Sequence, residues 1–402
     1  MRAIGLLLPI SLALCTGCAT ASASFDDASA FYRLTTERQG ECRSLDVIND
    51  GTNDQVALRK TADVAGQYWR IAADGGFFRL STQWLGAGKS LDIRNDGRND
   101  TPVLAATGDV SGQHWRIVPL ADGYYRLTTQ WQGPDKSLDI KNDGQNDRPV
   151  LAATGDFSGQ RWRITKETAV GPVPPALGLV PFYKKYLDGD GIPIVSSEKV
   201  SDKALLQARF LARQMLARLP AVRAELKRRN VRIAVMASSE VATDIPEHAF
   251  LKSDTTFNWD RDTRGLGATL AVPVNSCAQE NLLCETDTHY SREDIFIHEF
   301  AHTIHELGLL FTVPRFQARL EATHQEAVGN RGLWAGTYAA TKLEEYWAEG
   351  VQDWFDVNDE AIPTNGIHNQ VNTRSELKSY DTRLHDLIAE YFPADGNKCS
   401  CH

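Results

Sequence analysis

Three copies of one short pattern occupy residues 31 to 165, and a repeat of this kind constrains the fold more than any local propensity does. Tyr32-Arg33-Leu34-Thr35, Phe78-Arg79-Leu80-Ser81 and Tyr125-Arg126-Leu127-Thr128 open the copies. Ser44-Leu45-Asp46, Ser90-Leu91-Asp92 and Ser137-Leu138-Asp139 follow, each leading into an Asn-Asp-Gly turn at Asn49, Asn95 or Asn142. Each copy ends on Gln67-Tyr68-Trp69, Gln113-His114-Trp115 or Gln160-Arg161-Trp162. Short alternating runs between Asn, Asp and Gly turns are strand patterns. Three such units predict a closed threefold all-β domain over residues 31–166, with Trp69, Trp115 and Trp162 in its shared core.

At 402 residues the chain is too long for one ordinary core. Residues 167–178 carry Pro172, Pro174 and Pro175, which bar a continuous helix or central strand, so this stretch is expected to be a linker. Beyond it Leu205, Ala208, Ala212, Leu216 and Leu219 fall three or four residues apart, a helical spacing that Ser201 or Asp202 can cap and Pro220 ends. Residues 231–236 and 267–274 read as buried strands. The fold class is therefore multidomain, an all-β domain followed by an α+β domain over residues 179–396. A net charge of −9 argues against a nucleic-acid partner, which needs a concentrated basic surface.

The N-terminus has Arg2, an apolar run from Ile4 to Leu14 and small residues to Ala23, the layout of a secretory signal over residues 1–23 and too short to span a bilayer. Either a peptidase cuts after Ala21 or Ala23, or Cys18 of Cys15-Thr16-Gly17-Cys18, which resembles a bacterial lipobox, is lipidated. The chain is thus expected to be secreted, or held at a bacterial outer membrane by a lipid anchor at Cys18 alone. Five cysteines lie beyond this region, so one thiol is left over. Cys277 and Cys284 are expected to close a small loop as a disulfide, with Cys42, Cys399 and Cys401 unassigned. A metal site from Cys399, Cys401 and His402 is disfavoured because a terminal tail rarely preorganises one.

Residues 295–310 read as a helix, and within it His298 and His302 stand four residues apart, so both imidazoles project from one face. With Glu299 they form His-Glu-x-x-His, the spacing that gives zinc two fixed nitrogen ligands and a carboxylate beside an open coordination position. A metzincin-type third ligand would need Gly at 305 and His at 308, but the chain has His305 and Gly308. A glutamate from residues 343–355 is the alternative. Glu345 and Glu349 share a helix face there, which suits one metal ligand and one carboxylate that orients a ligand imidazole. Glu344 is the rival to Glu345 and points about 100° away.

The closing Gln-x-Trp repeats resemble the ricin B-type β-trefoil lectin family. That resemblance implies a glycan partner, with Asp46, Asp92 and Asp139 accepting hydrogen bonds from sugar hydroxyls. The chain departs from sugar-binding members at Val103-Leu104-Ala105-Ala106 and Val150-Leu151-Ala152-Ala153, where an aromatic residue is usual and alanines cannot stack on a ring. The second domain resembles the gluzincin peptidases, and in particular the catalytic domains of anthrax lethal factor and the Pro-Pro endopeptidases, through His-Glu-Phe-x-His, Tyr338, Glu345 and Glu349 at matching intervals. This resemblance implies one zinc ion per chain on His298, His302 and Glu345, with Glu299 as general base, Tyr338 as oxyanion stabiliser and Glu349 as the orienting carboxylate. The implied activity is hydrolysis of a protein or peptide substrate. A zinc amidase acting on a cell-wall linkage and a non-catalytic carbohydrate-binding protein are the alternatives.

Overall fold

The computed structural model describes residues 25, 27, 29–120, 123–285, 290, 292–394 and 400–402. The signal segment, Cys18 and Cys399 lie outside the described residues. Among the described residues no helix is long and apolar enough to cross a membrane.

Each sequence repeat becomes four strands. The first supplies β1 (Phe31–Thr36), β2 (Arg43–Val47), β3 (Val56–Lys60) and β4 (Trp69–Asp74). The second supplies β5 (Phe77–Thr82), β6 (Lys89–Ile93), β7 (Pro102–Ala106) and β8 (Trp115–Pro119). The third supplies β9 (Tyr125–Thr129), β10 (Lys136–Ile140), β11 (Pro149–Ala153) and β12 (Trp162–Glu167). Six of these close a barrel in the order β1-β12-β9-β8-β5-β4, and hairpins β2-β3, β6-β7 and β10-β11 cap it. The three tryptophans are fully buried, and each indole N–H donates to the carbonyl of Leu45, Leu91 or Leu138 at 2.8 Å. Burying an indole costs little only when its one donor is satisfied, so the repeat conserves that bond in all three units. Phe25, which lies before the repeat, plugs the barrel end against Tyr32, Phe78 and Tyr125, with ring centroids 5.2, 5.5 and 6.0 Å away. At the hairpin end the units interlock, because Leu58, Leu104 and Leu151 donate their N–H groups to the carbonyls of Asp147, Asp54 and Asp100, each at 2.7 Å.

The second domain is built on a six-stranded mixed sheet of β13 (Gly171–Pro172), β14 (Lys185–Gly189), β15 (Ile192–Ser196), β16 (Arg232–Met236), β17 (Gly265–Leu266) and β18 (Val274–Ala278), in the order β13-β14-β15-β16-β18-β17. Helix Asp202–Met215, capped by Ser201 as its spacing predicts, packs against β14 and β15. Pro220 opens the next helix, Pro220–Arg228, at the position where a missing N–H costs nothing. The strand expected at residues 267–274 is replaced by a loop between β17 and β18. Ala268 N–H is drawn off to Thr303 Oγ1 at 2.9 Å, and Thr269 and Val272 close a tight turn on each other.

The stretch expected as a linker starts inside β12 with Glu167 and adds β13 to the sheet edge. Glu167 is buried and ion-paired to Arg33 of the barrel (3.2 Å) and to Arg209 and Arg213 of the Asp202–Met215 helix (Arg213 at 3.2 Å). The two domains are therefore tied together by charge at their junction.

The cysteine pairing differs from expectation. Cys284 bonds Cys401 with Cα atoms 6.1 Å apart, and Cys277 is the free thiol among the described residues. Cys277 sits on β18 between β16 and β17, paired with Val235 and Gly265, and its side chain points into the core. Cys284 lies past the short helix Gln279–Leu282 in a left-handed conformation (φ 49°), turned toward the C-terminal tail. Cys42 is also disulfide-bonded. The Cys284–Cys401 bond closes a loop of 117 residues, so Cys401→Ser removes a large constraint on the unfolded chain. We expect it to lower stability by about 2–4 kcal/mol, read as a fall in the urea midpoint under non-reducing conditions; an unchanged midpoint would show the tail to be loosely held.

Candidate metal site

Helix Ile295–Ile304 is held at its start by two side chains. Asp294 accepts Ile297 N–H at 3.0 Å as N-cap, and Asn281 Oδ1 accepts Ile295 N–H at 2.9 Å. Phe296, Phe300, Ala301 and Ile304 face the core, which leaves His298, Glu299 and His302 toward the cleft. A second helix, Leu343–Trp354, crosses it. Its far side is fixed by Tyr346 OH, which donates to Asp381 at 2.6 Å, and by Trp354 Nε1, which donates to the Pro393 carbonyl at 2.9 Å. Glu345, Glu349 and Gln352, at i, i+4 and i+7, are thereby turned toward the histidines.

His298 Nε2, His302 Nε2 and Glu345 Oε2 form a near-equilateral triangle, with 3.1 Å between the nitrogens and 3.2 Å from each to the oxygen. A tetrahedral zinc ion with bonds of about 2.0 Å sets its ligands about 3.3 Å apart, so the three atoms fit one face of that tetrahedron. Among the described residues they are one of two groups that converge closely enough to hold one ion, and the other, Cys284, Cys401 and His402, has its two sulfurs joined in a disulfide. Glu344 lines the cleft without joining the triangle. Tyr338 OH donates to Glu345 Oε1 at 2.9 Å, its ring lies nearly parallel to His298 with centroids 6.4 Å apart, and it is 40% exposed to the cleft.

Charge in the site is heavily acidic. Burial disfavours a charged His298, yet Glu345, Glu299 and Glu349 together push its pKa up to about 10. Burial also works against the Glu345 carboxylate, but hydrogen bonds from both histidines hold its carboxyl well below the usual range. Burial raises the Glu299 carboxyl, with the two histidines opposing. Carboxylates that stabilise positive charge on the His298 imidazole are suited to a divalent cation in place of that proton.

The ring N–H side of His298 reveals a residue that the sequence reading did not single out. Its Nδ1 lies 2.7 Å from Gln352 Oε1 and 3.6 Å from Glu349 Oε1. Gln352 falls seven residues after Glu345, so its place on the face was readable, but an amide carries no charge signal. Gly265 and Gly267 line the cleft on the adjoining sheet edge. A Cβ on Gly265 would stand 2.8 Å from Glu299 Cγ, and one on Gly267 would stand 2.8 Å from His302 Cβ, so only glycine lets this strand approach the helix. The cleft holds about 720 Å³, with Phe257 and Trp259 at its mouth. His305 is buried away from the triangle and bonds Gln317 at 3.1 Å. At the tail, the Cys284 and Cys401 sulfurs are bonded to each other, and His402 Nε2 contacts the Asn281 carbonyl at 2.8 Å.

In the barrel domain Asp46, Asp92 and Asp139 occupy equivalent places. One oxygen of each takes the next residue's N–H, and the other takes the side-chain amide of Gln67, Gln113 or Gln160 at 3.0–3.1 Å. Gly66, Gly112 and Gly159 pack directly on these carboxylates. The three aspartates therefore brace the Gln-x-Trp turns, and Ala106 and Ala153 stand exposed beside two of them without a ring to offer.

Residues 65–153 match the family model described as ricin-type beta-trefoil lectin domain-like. No curated protein matches the chain. Among solved structures, the designed threefold symmetric protein ThreeFoil shares 28% identity over 34% of this chain and 97% of its own, with a TM-score of 0.30. The ricin B-like lectin of Macrolepiota procera, solved with lactose, shares 21% over 34% of this chain and 94% of its own, with a TM-score of 0.28. A GlcNAcα1-4Gal-releasing endo-β-galactosidase from Clostridium perfringens shares 15% over 35% of this chain, with a TM-score of 0.30, and the match spans 33% of that enzyme. The family match over residues 65–153, set on a closed six-stranded barrel of three equivalent units, makes the N-terminal module a ricin-type β-trefoil lectin-like domain.

Proposed function

We propose that the chain is a zinc-dependent endopeptidase carrying a glycan-directed β-trefoil. The triangle of His298, His302 and Glu345 donor atoms carries this reading. A zinc ion bound there supplies a Lewis acid and an activated water at neutral pH. Glu299 stands beside the ligands as the base that takes the proton from water and passes it to the leaving amine. Tyr338 OH, already in the cleft, is placed to donate to a developing oxyanion once it swings from Glu345. Strand β17 favours a peptide over other amides. Among the described residues it is the terminal strand of the sheet with no sheet neighbour on its outer side, and it borders Glu299, so an extended substrate can pair along it.

The test is a peptide library offered to the full chain with stoichiometric zinc and after chelation. We expect one zinc per chain and cleavage only in the zinc-loaded sample. A protein that binds one zinc and cuts no peptide, but releases product from cell-wall fragments, would instead support the amidase reading. For the trefoil, binding of the full chain to an array of glycans is expected; silence on every glycan would leave it a structural partner of the second domain.

A further inference from the structure

The orientation of a metal-ligating imidazole depends on what holds its other nitrogen, because a fixed N–H on one side leaves the lone pair on the other. We infer that Gln352, an uncharged amide, is the residue that fixes His298 for metal binding, in the place where the sequence pattern offers the Glu349 carboxylate. This rests on the zinc reading of the triangle and goes one shell deeper.

Three observations carry it. Gln352 is fully buried and makes the shortest contact to His298 Nδ1, 2.7 Å against 3.6 Å for Glu349. A separation of 3.6 Å lies beyond a hydrogen bond. The amide also cannot be turned round. Gln352 Nε2 faces the Asp294 carbonyl at 3.3 Å and Glu293 Oε2 at 3.4 Å, both acceptors, so the NH2 group belongs on that side and the oxygen faces His298. An amide oxygen only accepts, so Nδ1 must carry a hydrogen, which leaves Nε2 as the nitrogen turned into the triangle with His302 and Glu345 and free to bind a metal there. Glu349 is held from its other side, its Oε2 accepting from Asn358 Nδ2 at 3.1 Å while its Oε1 stays 3.6 Å from His298 Nδ1. Gln352 thus links the helix N-cap carbonyl of Asp294 to the metal ligand four residues on, and it acts through His298 as a positioning residue.

The experiment measures zinc affinity by competition with a chromophoric chelator, and the exchange of the His298 Nδ1–H with water by proton–nitrogen NMR on the zinc-loaded, nitrogen-15-labelled full chain. Wild type should show an Nδ1–H held against exchange by its bond to Gln352. Gln352→Leu should weaken zinc by about 10- to 100-fold and free that hydrogen to exchange, with the circular dichroism spectrum unchanged. Glu349→Gln should leave the hydrogen held and lose less zinc affinity than Gln352→Leu. If Gln352→Leu does not fold, Glu349→Gln still decides: an Nδ1–H that exchanges freely there overturns the inference. Equal zinc affinity in Gln352→Leu and wild type, or a larger loss in Glu349→Gln, also overturns it. A wild-type protein that binds no zinc at all sinks the metal reading itself, an outcome distinct from these.

Discussion

If the chain is the zinc peptidase proposed above, Glu299→Gln should keep one zinc per chain and lower peptide hydrolysis by about 10²- to 10⁴-fold, chiefly in kcat, the span expected when a general base is removed. The substitution is nearly isosteric, so the close packing of Glu299 Cγ beneath Gly265 survives. Glu299 is also outside the triangle of candidate donor atoms, so the substitution leaves all three in place. What changes is proton acceptance. The amide cannot take a proton from water or return it to the amine, while Tyr338 and the edge strand keep their places in the cleft lining. The separation of effects is the informative part: zinc content by elemental measurement should not move while turnover collapses. Turnover within tenfold of wild type would place the base elsewhere in the cleft, and loss of zinc would show Glu299 to be structural.

Much of this site was legible because its signal is periodic. His298 and His302 at i, i+4 can only share a helix face, and Glu345 with Glu349 repeats the argument on a second helix. The crossing of those helices, which brings Glu345 Oε2 to 3.2 Å from both imidazoles, depends on Tyr346, Trp334 and Trp354 anchoring the far side, and no spacing rule announces that. Gln352 was overlooked for a chemical reason, since a buried amide looks like any polar residue until its two ends have partners. The trefoil repeat announced its strands and its tryptophans, yet Phe25 lies outside the repeat and only its position under three rings explains it. The misassigned Cys277 shows the converse error. Nearness in sequence to Cys284 counted for less than the strand direction that sends the Cys277 side chain into the core.

The junction of the two domains yields the largest expected effect on stability. Glu167→Gln should cost about 3–5 kcal/mol at neutral pH, because it leaves buried arginines without their shared counter-charge. Arg209 is 0% and Arg33 1% exposed, and both meet Glu167. Arg213 keeps Asp190 at 3.0 Å, so the loss falls mainly on the other two. Burial alone would raise the Glu167 carboxyl, but Arg209, Arg33 and Arg213 hold it below its ordinary value of 4.5. A depressed native pKa means that the stabilisation is complete above that ordinary value and is lost as pH falls through the lowered one. The gap in unfolding free energy between wild type and variant should therefore be full at pH 7 and begin to close only under acid conditions. Because Glu167 ends β12 and its partners lie on both domains, the same substitution should let the domains separate before either unfolds. Protease cutting within residues 168–178 should then precede global unfolding in the variant and not in wild type. A variant within 1 kcal/mol of wild type at pH 7, cut no faster in that segment, would mean that the apolar contacts between the domains, and not this buried charge, hold them together.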